Sequence, residues 1–323
     1  MNLLITGGAG FIGSNFARRM LDNTYSQGGK VIILDKLTYA GNLNNLTDLL
    51  NHGRFEFVSG DICDLELVSS LITKVDAVVN FAAESHVDRS IVNSSDFVKT
   101  NIDGVRVILD SILFSNKSCR FLQISTDEVY GSITSGCWDE FSPLLPNSPY
   151  SASKASGELL ARSYFKTHNL DVVITRCSNN YGPYHHPEKL IPLIITNILQ
   201  GRTIPIYGDG NNVRDWLHVE DHCDAIFKVL TNGQSGYVYN IGGGRELRNI
   251  DVAKIIIKYM DYDASKMQFV TDRKGHDFRY SVNWNKIHNE LGYSPKIEFE
   301  IGIQETIQWY QANSSWWTPL VHT

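Results

Sequence analysis

The segment Ser125-Thr126-Asp127-Glu128-Val129-Tyr130-Gly131 puts a hydroxyl and two adjacent carboxyls where an apolar run, Phe121 to Ile124, ends. Loss of water from a carbon skeleton needs an acid for the departing hydroxyl and a base for a carbon-bound proton, so a carboxyl pair suits dehydration. Thr126 adds a hydroxyl that can serve a sugar oxygen and a neighbouring base. In a regular strand successive side chains point to opposite faces. Asp127 and Glu128 therefore meet one substrate only if the strand gives way to a loop here. The bland alternative is a helix cap followed by ordinary exposed acids.

Tyr150 lies 24 residues beyond Thr126, and Lys154 four residues further on. That spacing puts both on one face of a helix. A tyrosinate works as a base near neutral pH only if its pKa falls from ~10 to near 7, roughly 4 kcal/mol. A nearby ammonium and a nicotinamide cation both favour the anion, so the expectation is a lowered phenol.

Upstream, Gly7-Gly8-Ala9-Gly10-Phe11-Ile12-Gly13 follows an N-terminal apolar run and precedes a helical pattern. Glycines at 7, 10 and 13 let the backbone turn tightly and approach a pyrophosphate at a helix N-terminus. Asp35 ends the next strand, 22 residues after Gly13. Its carboxylate accepts from ribose hydroxyls and repels a 2′-phosphate, which favours NAD over NADP. Asp61 and Ile62 are placed against the adenine; the competing role for Asp61 is a helix cap.

Elements that could position these groups follow from the apolar runs. Residues 2–6, 31–34, 55–58, 77–81, 121–124, 172–174 and 238–241 read as strands, and 14–22, 64–73, 94–115, 151–168 and 221–231 as helices. Continuous apolar strands alternating with helices imply a parallel sheet covered on both faces, with ligands beyond the C-terminal strand ends. The pattern loosens over 180–220. Residues 250–323 read as helices and loops, with an aromatic tail (Trp309, Trp316, Trp317) packed on the body and its last residues disordered. The expected division is a dinucleotide-binding domain, 1–178 with returning segments near 221–245, and a smaller lobe, 179–220 with 246–323.

A net charge of -6 with scattered basic residues argues against nucleic acid or an anionic membrane as partner. No apolar run approaches the ~20 residues that span a bilayer. The first strand starts at Asn2, so no signal peptide is expected, and Cys63, Cys119, Cys137, Cys177 and Cys223 form no CxxC pair. A reducing cytoplasm is the expected compartment. His218 and His222 are four apart, a spacing seen in zinc sites, but nothing around them completes a ligand set, and no metal is expected.

These residues resemble the extended short-chain dehydrogenase/reductase superfamily and, within it, the dTDP-glucose 4,6-dehydratases. The resemblance spans nearly the whole chain. It rests on the glycine turn, the segment from Asp35 to Asn42, Ala82-Ala83-Glu84-Ser85-His86-Val87-Asp88, the Thr126-Asp127-Glu128 triplet, and Tyr150 with Lys154. Arg176 to Pro183, Pro187 to Pro192 and Arg214-Asp215-Trp216 complete it.

The resemblance implies a Rossmann-type doubly wound α/β fold with a smaller C-terminal substrate-binding lobe. It implies NAD as cofactor, a nucleoside-diphosphate-glucose as substrate, and a homodimer paired through a four-helix bundle built from 94–115 and 150–167. Tyr150 takes the O4 proton during C4 oxidation, Glu128 the C5 proton, and protonated Asp127 releases the C6 hydroxyl. Cofactor contacts fall on Gly7, Gly10, Phe11, Ile12, Gly13, Asp35, Lys36, Thr38, Asp61, Ile62, Phe81, Ala82, Ala83, Ser85, Thr100, Tyr150, Lys154 and Asn180. Substrate contacts fall on Ser85, His86, Thr126, Asn179, Glu188, Lys189, Leu190, Pro205, Tyr207, Arg214, Asn249, Arg273 and His276.

The chain departs from the family pattern at Lys274, usually Pro, at His218, usually Tyr, and in a short 132–148 loop. Rivals on the same fold are a UDP-glucose 4,6-dehydratase and a UDP-sugar 4-epimerase or decarboxylase. The Asp127/Glu128 pair weighs against the last two. A non-catalytic NAD-sensing scaffold is a rival of another class; retention of Tyr150 and Lys154 weighs against it.

Overall fold

The computed structural model describes residues 1–22, 24–25 and 28–321. The chain opens with β1 (Leu3–Thr6), α1 (Phe11–Leu21), β2 (Val31–Asp35), β3 (Phe55–Ser59), α2 (Leu65–Ile72) and β4 (Ala77–Asn80). Then come α3 (Val87–Val92), α4 (Ser95–Val98), a π-helical stretch Lys99–Gly104, α5 (Val105–Phe114) and β5 (Arg120–Thr126). A 3-10 turn, Asp127–Tyr130, precedes α6 (Pro149–His168), β6 (Val172–Cys177), β7 (Asn179–Tyr181), α7 (Leu190–Leu199) and β8 (Ile204–Tyr207). The remainder is β9 (Val213–His218), α8 (Val219–Asn232), β10 (Val238–Ile241), β11 (Glu246–Arg248), α9 (Asn249–Tyr259), β12 (Met267–Val270), α10 (Asn285–Leu291), α11 (Phe299–Ala312) and α12 (Ser314–Trp317).

Every residue of β1, β2 and β4 is buried, as a sheet covered on both faces demands. Seven parallel strands run in the order β3-β2-β1-β4-β5-β6-β10. One face carries α1, α8 and α10, the other α2, α5 and α6. The chain winds outward to β3, then returns to place β4 beside β1. Ligands of such sheets settle at that reversal. Thr6 donates to Asn80 Oδ1 at 2.5 Å, and Asn80 to Gln123 Oε1 at 2.8 Å, so one row of polar side chains ties β1, β4 and β5 together.

Two stretches depart from the sequence reading. The loosened region 180–220 holds β7, α7, β8 and β9, and the supposed helices and loops beyond 250 include β12. Here β8 pairs in parallel with β12, and β9 lies between β7 and β11. These strands have three to six residues, and their partners are distant in sequence, so no local pattern announces them. Around them α7, α9 and α11 enclose a separate apolar core that includes Ile194, Trp216, Ile256, Ile303 and Trp317.

The predicted helix over 94–115 is also not one α-helix, because its turns widen at Lys99–Gly104. Crowding accompanies the widening. A Cβ on Gly104 would lie 2.4 Å from Ile62 Cδ1, and one on Gly157 would lie 2.3 Å from the Asn101 carbonyl oxygen. Asn101 receives the Glu84 N–H at 3.0 Å and donates to Ser153 Oγ at 2.8 Å. The aromatic tail packs on the body, with Trp316 and Trp317 buried. Residues 322–323, where disorder was expected, lie outside the described residues.

Candidate active site

The glycine turn forms the floor of a cavity of about 600 Å³ at the C-terminal strand ends. Gly7 has φ +66°, and a Cβ there would stand 2.6 Å from the Ala82 amide nitrogen; one on Gly13 would stand 2.5 Å from the Gly7 carbonyl. Side chains are excluded, so backbone lines the surface. No side chain caps α1 at Gly10. Its first amides are left for an anion, in line with the helix dipole. Asp35 is fixed at the rim by accepting from Ala9 N at 2.9 Å and Leu37 N at 2.8 Å. Lys36 pairs with Asp61 at 2.8 Å. The cap of α2 is Asp64, whose side chain accepts from Leu67 N, so Asp61 is not that cap. A bare backbone cradle, a free helix N-terminus and a carboxylate at the end of the neighbouring strand fit a dinucleotide.

The acidic pair sits where β5 stops. Thr126 caps the following 3-10 turn by accepting from Glu128 N at 3.3 Å, and Gly131 ends it at φ +78°. The strand alternation is broken at that turn, so Asp127 and Glu128 both border the cavity. Asp127 is 2 % exposed, and its Oδ2 has no hydrogen-bond partner. Burial drives its pKa well up, and Glu128 and Asp215 push the same way. Burial also raises Glu128, but Arg273, Arg214 and Lys189 pull it back. The two neighbouring carboxyls thus have different surroundings: Asp127 keeps one bond, accepted by Oδ1 from the Thr126 hydroxyl at 3.2 Å, while Glu128 faces three cations.

Tyr150 and Lys154 ride on α6. Ser148 and Ser151 cap the helix reciprocally, and Pro149 occupies its first turn. The Tyr150 amide donates to Ser90 Oγ at 3.2 Å, and the ring packs edge-on against Phe97. The expected lowering of the phenol does not occur in the ligand-free protein. Burial raises Tyr150 well above its ordinary value, and Glu128, Cys177 and Asp127 add to this, while Thr126 opposes it. Lys154 points to the Ile124 carbonyl at 2.6 Å, and burial lowers its own pKa to about 8. The helix spacing foretold a shared face but not the desolvation of both groups.

Across the cavity stand groups suited to an anion. Arg214 is 4 % exposed, lies 4.4 Å over the Tyr280 ring, and donates to the carbonyls of Val213, Asp277 and Phe278. Among the described residues no carboxylate lies within ion-pair distance of Arg214 or Arg273. Glu128 and Asp127 act on Arg214 only from beyond that distance; a buried guanidinium without a contact ion pair is costly, and a diphosphate would supply one bidentately. Lys189 donates to the Ser85 carbonyl at 3.2 Å, and Glu188 gathers Lys189, His86 and Arg89 within 3.7 Å. Asn179 and Asn249 each present a buried Oδ1 without a partner.

Every candidate catalytic, cofactor or substrate residue named from the sequence borders this one cavity, including Thr38, Phe81, Ala83, Thr100, Leu190, Pro205, Tyr207 and His276. Asn180 is held there by His222 Nδ1 at 2.9 Å, while His218 Nδ1 accepts from Glu220 N. Sequence reasoning missed His185, Tyr184, Cys177, Trp316 and Leu320, which also line it. His185 stacks on Phe11 at 4.3 Å. Cys177 could have been found as the end of a strand beside β5; the tail residues carried no such signal. Among the described residues no group of three or more His, Cys, Asp or Glu could hold a metal ion.

A family profile described as GDP-mannose 4,6 dehydratase matches residues 4–306. A dTDP-glucose 4,6-dehydratase of Streptomyces niveus is 53% identical over 322 residues, covering 99% of this chain and 96% of that protein. The crystal structure of DesIV, a dTDP-glucose 4,6-dehydratase from Streptomyces venezuelae solved with NAD bound, superposes with a TM-score of 0.97 at 53% identity, over 99% of this chain and 100% of that one. The dTDP-glucose 4,6-dehydratase of Bacillus anthracis in complex with NAD gives 0.93 at 50% identity, over 99% of each chain. Matched by that profile over residues 4–306 and from end to end by these relatives, the chain belongs to the GDP-mannose 4,6 dehydratase family.

Proposed function

We propose that this chain is an NAD-dependent hydro-lyase that converts dTDP-glucose to its 4-keto-6-deoxy form. The observation that carries the proposal is the pairing of a buried Asp127, whose Oδ2 has no partner, with a cation-facing Glu128 in the cavity that holds Tyr150. An epimerase on this fold needs only the tyrosine and lysine; elimination needs the two carboxyls as well. Relatives 53% identical to it, from Streptomyces niveus and an Actinoplanes strain, are dTDP-glucose 4,6-dehydratases, which supports the dTDP sugar over a UDP sugar.

Tyr150 accepts the O4 proton as a phenolate, a form that its burial opposes and that Thr126 and the cationic nicotinamide ring of bound NAD would favour. Bound along the glycine turn, NAD supplies the hydride acceptor for C4 and the donor for C6. A ketone at C4 acidifies the C5 hydrogen, and Glu128 removes that proton. Asp127, kept protonated by burial, delivers its proton to the C6 hydroxyl, which leaves as water. Glu128 then returns a proton to C5. Arg214, Arg273 and Lys189 hold the diphosphate, and Pro205, Tyr207 and Asn249 flank the base. The seven-stranded sheet, with residues 1–178 and 221–245, holds the cofactor. The elements of 179–220 and 246–323 hold the nucleotide sugar.

The working form is a homodimer. Val98, Phe114 and Leu159 are exposed on α4, α5 and α6, and Val98 borders a groove whose lining joins Ile102 and Leu160 to Ser94, Ser95, Lys99, Asp103 and Arg106. Such faces suit a four-helix bundle between two copies. Five free cysteines suit a reducing cytoplasm, and no helix among the described residues is long and apolar enough to cross a membrane.

Incubation with dTDP-glucose and with UDP-glucose tests the reading through the absorbance of the 4-keto product in base. Product is expected from dTDP-glucose, and faster than from UDP-glucose. No product from either sugar overturns the assignment.

A further inference from the structure

The C-terminal aromatic segment reaches back to the cofactor turn. The Trp316 indole N–H donates to Asn45 Oδ1 at 2.7 Å, across 271 positions of sequence. Asn45 Nδ2 in turn donates to the Ala9 carbonyl at 2.8 Å. Ala9 is the middle of the glycine turn, and its own N–H is held by Asp35. All of these groups are buried, and Trp316 and Leu320 themselves border the cavity.

The chemistry of the link fixes its direction. An indole nitrogen can only donate, so it selects the amide orientation that presents Oδ1 to the tail and Nδ2 to Ala9. Without the indole N–H, Oδ1 is left buried and unpaired. The reversed amide would set an oxygen against the Ala9 carbonyl. A second tie runs in parallel: the Tyr310 hydroxyl of α11 donates to the His185 carbonyl, and His185 stacks on Phe11 at the start of α1.

We infer that Trp316 is a positioning residue, which acts through Asn45 to hold the glycine turn in its cofactor-binding shape and to slow the escape of NAD. The inference rests on the proposed use of NAD. A reaction that removes a hydride from C4 and returns one to C6 needs the cofactor to stay in place between the two transfers. The tie joins α12 to the glycine turn, so a C-terminal segment braces the cradle that would receive the cofactor.

The test compares wild-type protein with Trp316→Phe, which keeps the ring and loses the N–H. NAD release is followed after mixing with excess unlabelled NAD, and dTDP affinity is measured separately. Trp316→Phe is expected to release NAD on the order of tenfold faster, the cost of one buried hydrogen bond. The NAD concentration for half-maximal activity is expected to rise by more than kcat falls, and dTDP affinity to stay as in wild type. Release at the wild-type rate overturns the inference. If Trp316→Phe does not fold, Leu320→Ala trims the same segment at the cavity wall and is expected to release NAD severalfold faster; an unchanged rate there overturns it equally. Wild-type protein that binds no NAD at all refutes the cofactor reading itself, a result distinct from both.

Discussion

The ammonium of Lys154 donates to the carbonyl oxygen of Ile124 at 2.6 Å, two residues before the end of the strand that delivers Thr126. Lys154 is thereby anchored to β5 in the ligand-free protein, and burial has brought its pKa to about 8. An unfolded lysine titrates near ~10.4. Between those values the unfolded chain binds the extra proton, so this residue makes stability rise with pH across that window. Lys154→Met is expected to melt above wild type at pH 7, with the difference shrinking by pH 10. C4 oxidation, read by single-turnover absorbance of the reduced cofactor, should slow by on the order of 10²–10³.

Asp127→Asn separates the two halves of the reaction. C4 oxidation should survive, while water loss slows by on the order of 10²–10⁴. Loss of oxidation in a folded variant would show the roles to be misassigned. Stability gives an independent check. Burial raises the folded-state pKa of Asp127, so its contribution is fully present below the unfolded value near ~3.9 and is lost as pH climbs through the raised value. The asparagine carries no such penalty. The variant should melt above wild type at pH 7, and the gap should close below about pH 4.

Arg214 makes no contact ion pair, and burial lowers its pKa although Glu128 and Asp127 act the other way from across the cavity. Arg214→Met should weaken dTDP binding by about 2–3 kcal/mol in calorimetry, while the NAD content of the purified protein stays unchanged. Equal losses of both ligands would point to a collapsed cavity instead.

The ion pair between Glu158 and Arg176 is buried, at 2.6 Å, and Arg176 also donates to the Tyr130 hydroxyl at 2.6 Å. Glu158 lies one helical turn beyond Lys154, and Tyr130 belongs to the turn of Asp127 and Glu128. One guanidinium therefore ties α6 to the acidic turn. Glu158→Ala leaves that cation buried and should cost about 3–5 kcal/mol in urea unfolding. Glu158→Gln, which keeps a hydrogen-bond acceptor, should cost less.

The proposed bundle predicts a dimer at micromolar concentration in gel filtration. Leu159→Glu puts a charge on the exposed face of α6, where Leu159 is 51 % exposed, and should shift the protein towards monomer. A wild-type monomer under the same conditions would remove the case for the bundle.

Much of the site was legible because its signals are local. Gly7, Gly10 and Gly13 sit between a strand and a helix, Asp35 ends the next strand, and Tyr150 and Lys154 obey helical spacing. All seven strands of the main sheet were visible as apolar runs. The small sheets were not, since β8 is stabilised by β12 some sixty residues away and neither has a pattern of its own. The widened turn at Lys99–Gly104 was hidden for a similar reason: its close contacts come from Ile62 and from α6. The raised phenol of Tyr150 and the tail's approach to Asn45 depend on what three-dimensional packing excludes or brings near, which spacing along the chain does not encode.

Thr126 donates to Asp127 Oδ1 at 3.2 Å, and the same hydroxyl opposes the raised pKa of the Tyr150 phenol. In the proposed cycle Glu128 gives back what it takes, but Tyr150 ends with a proton it did not have and Asp127 without the one it started with. A single hydroxyl joins the two groups left in the wrong state. Passing one hydrogen along that link resets both for the next sugar, so the site can restore itself without opening to bulk water.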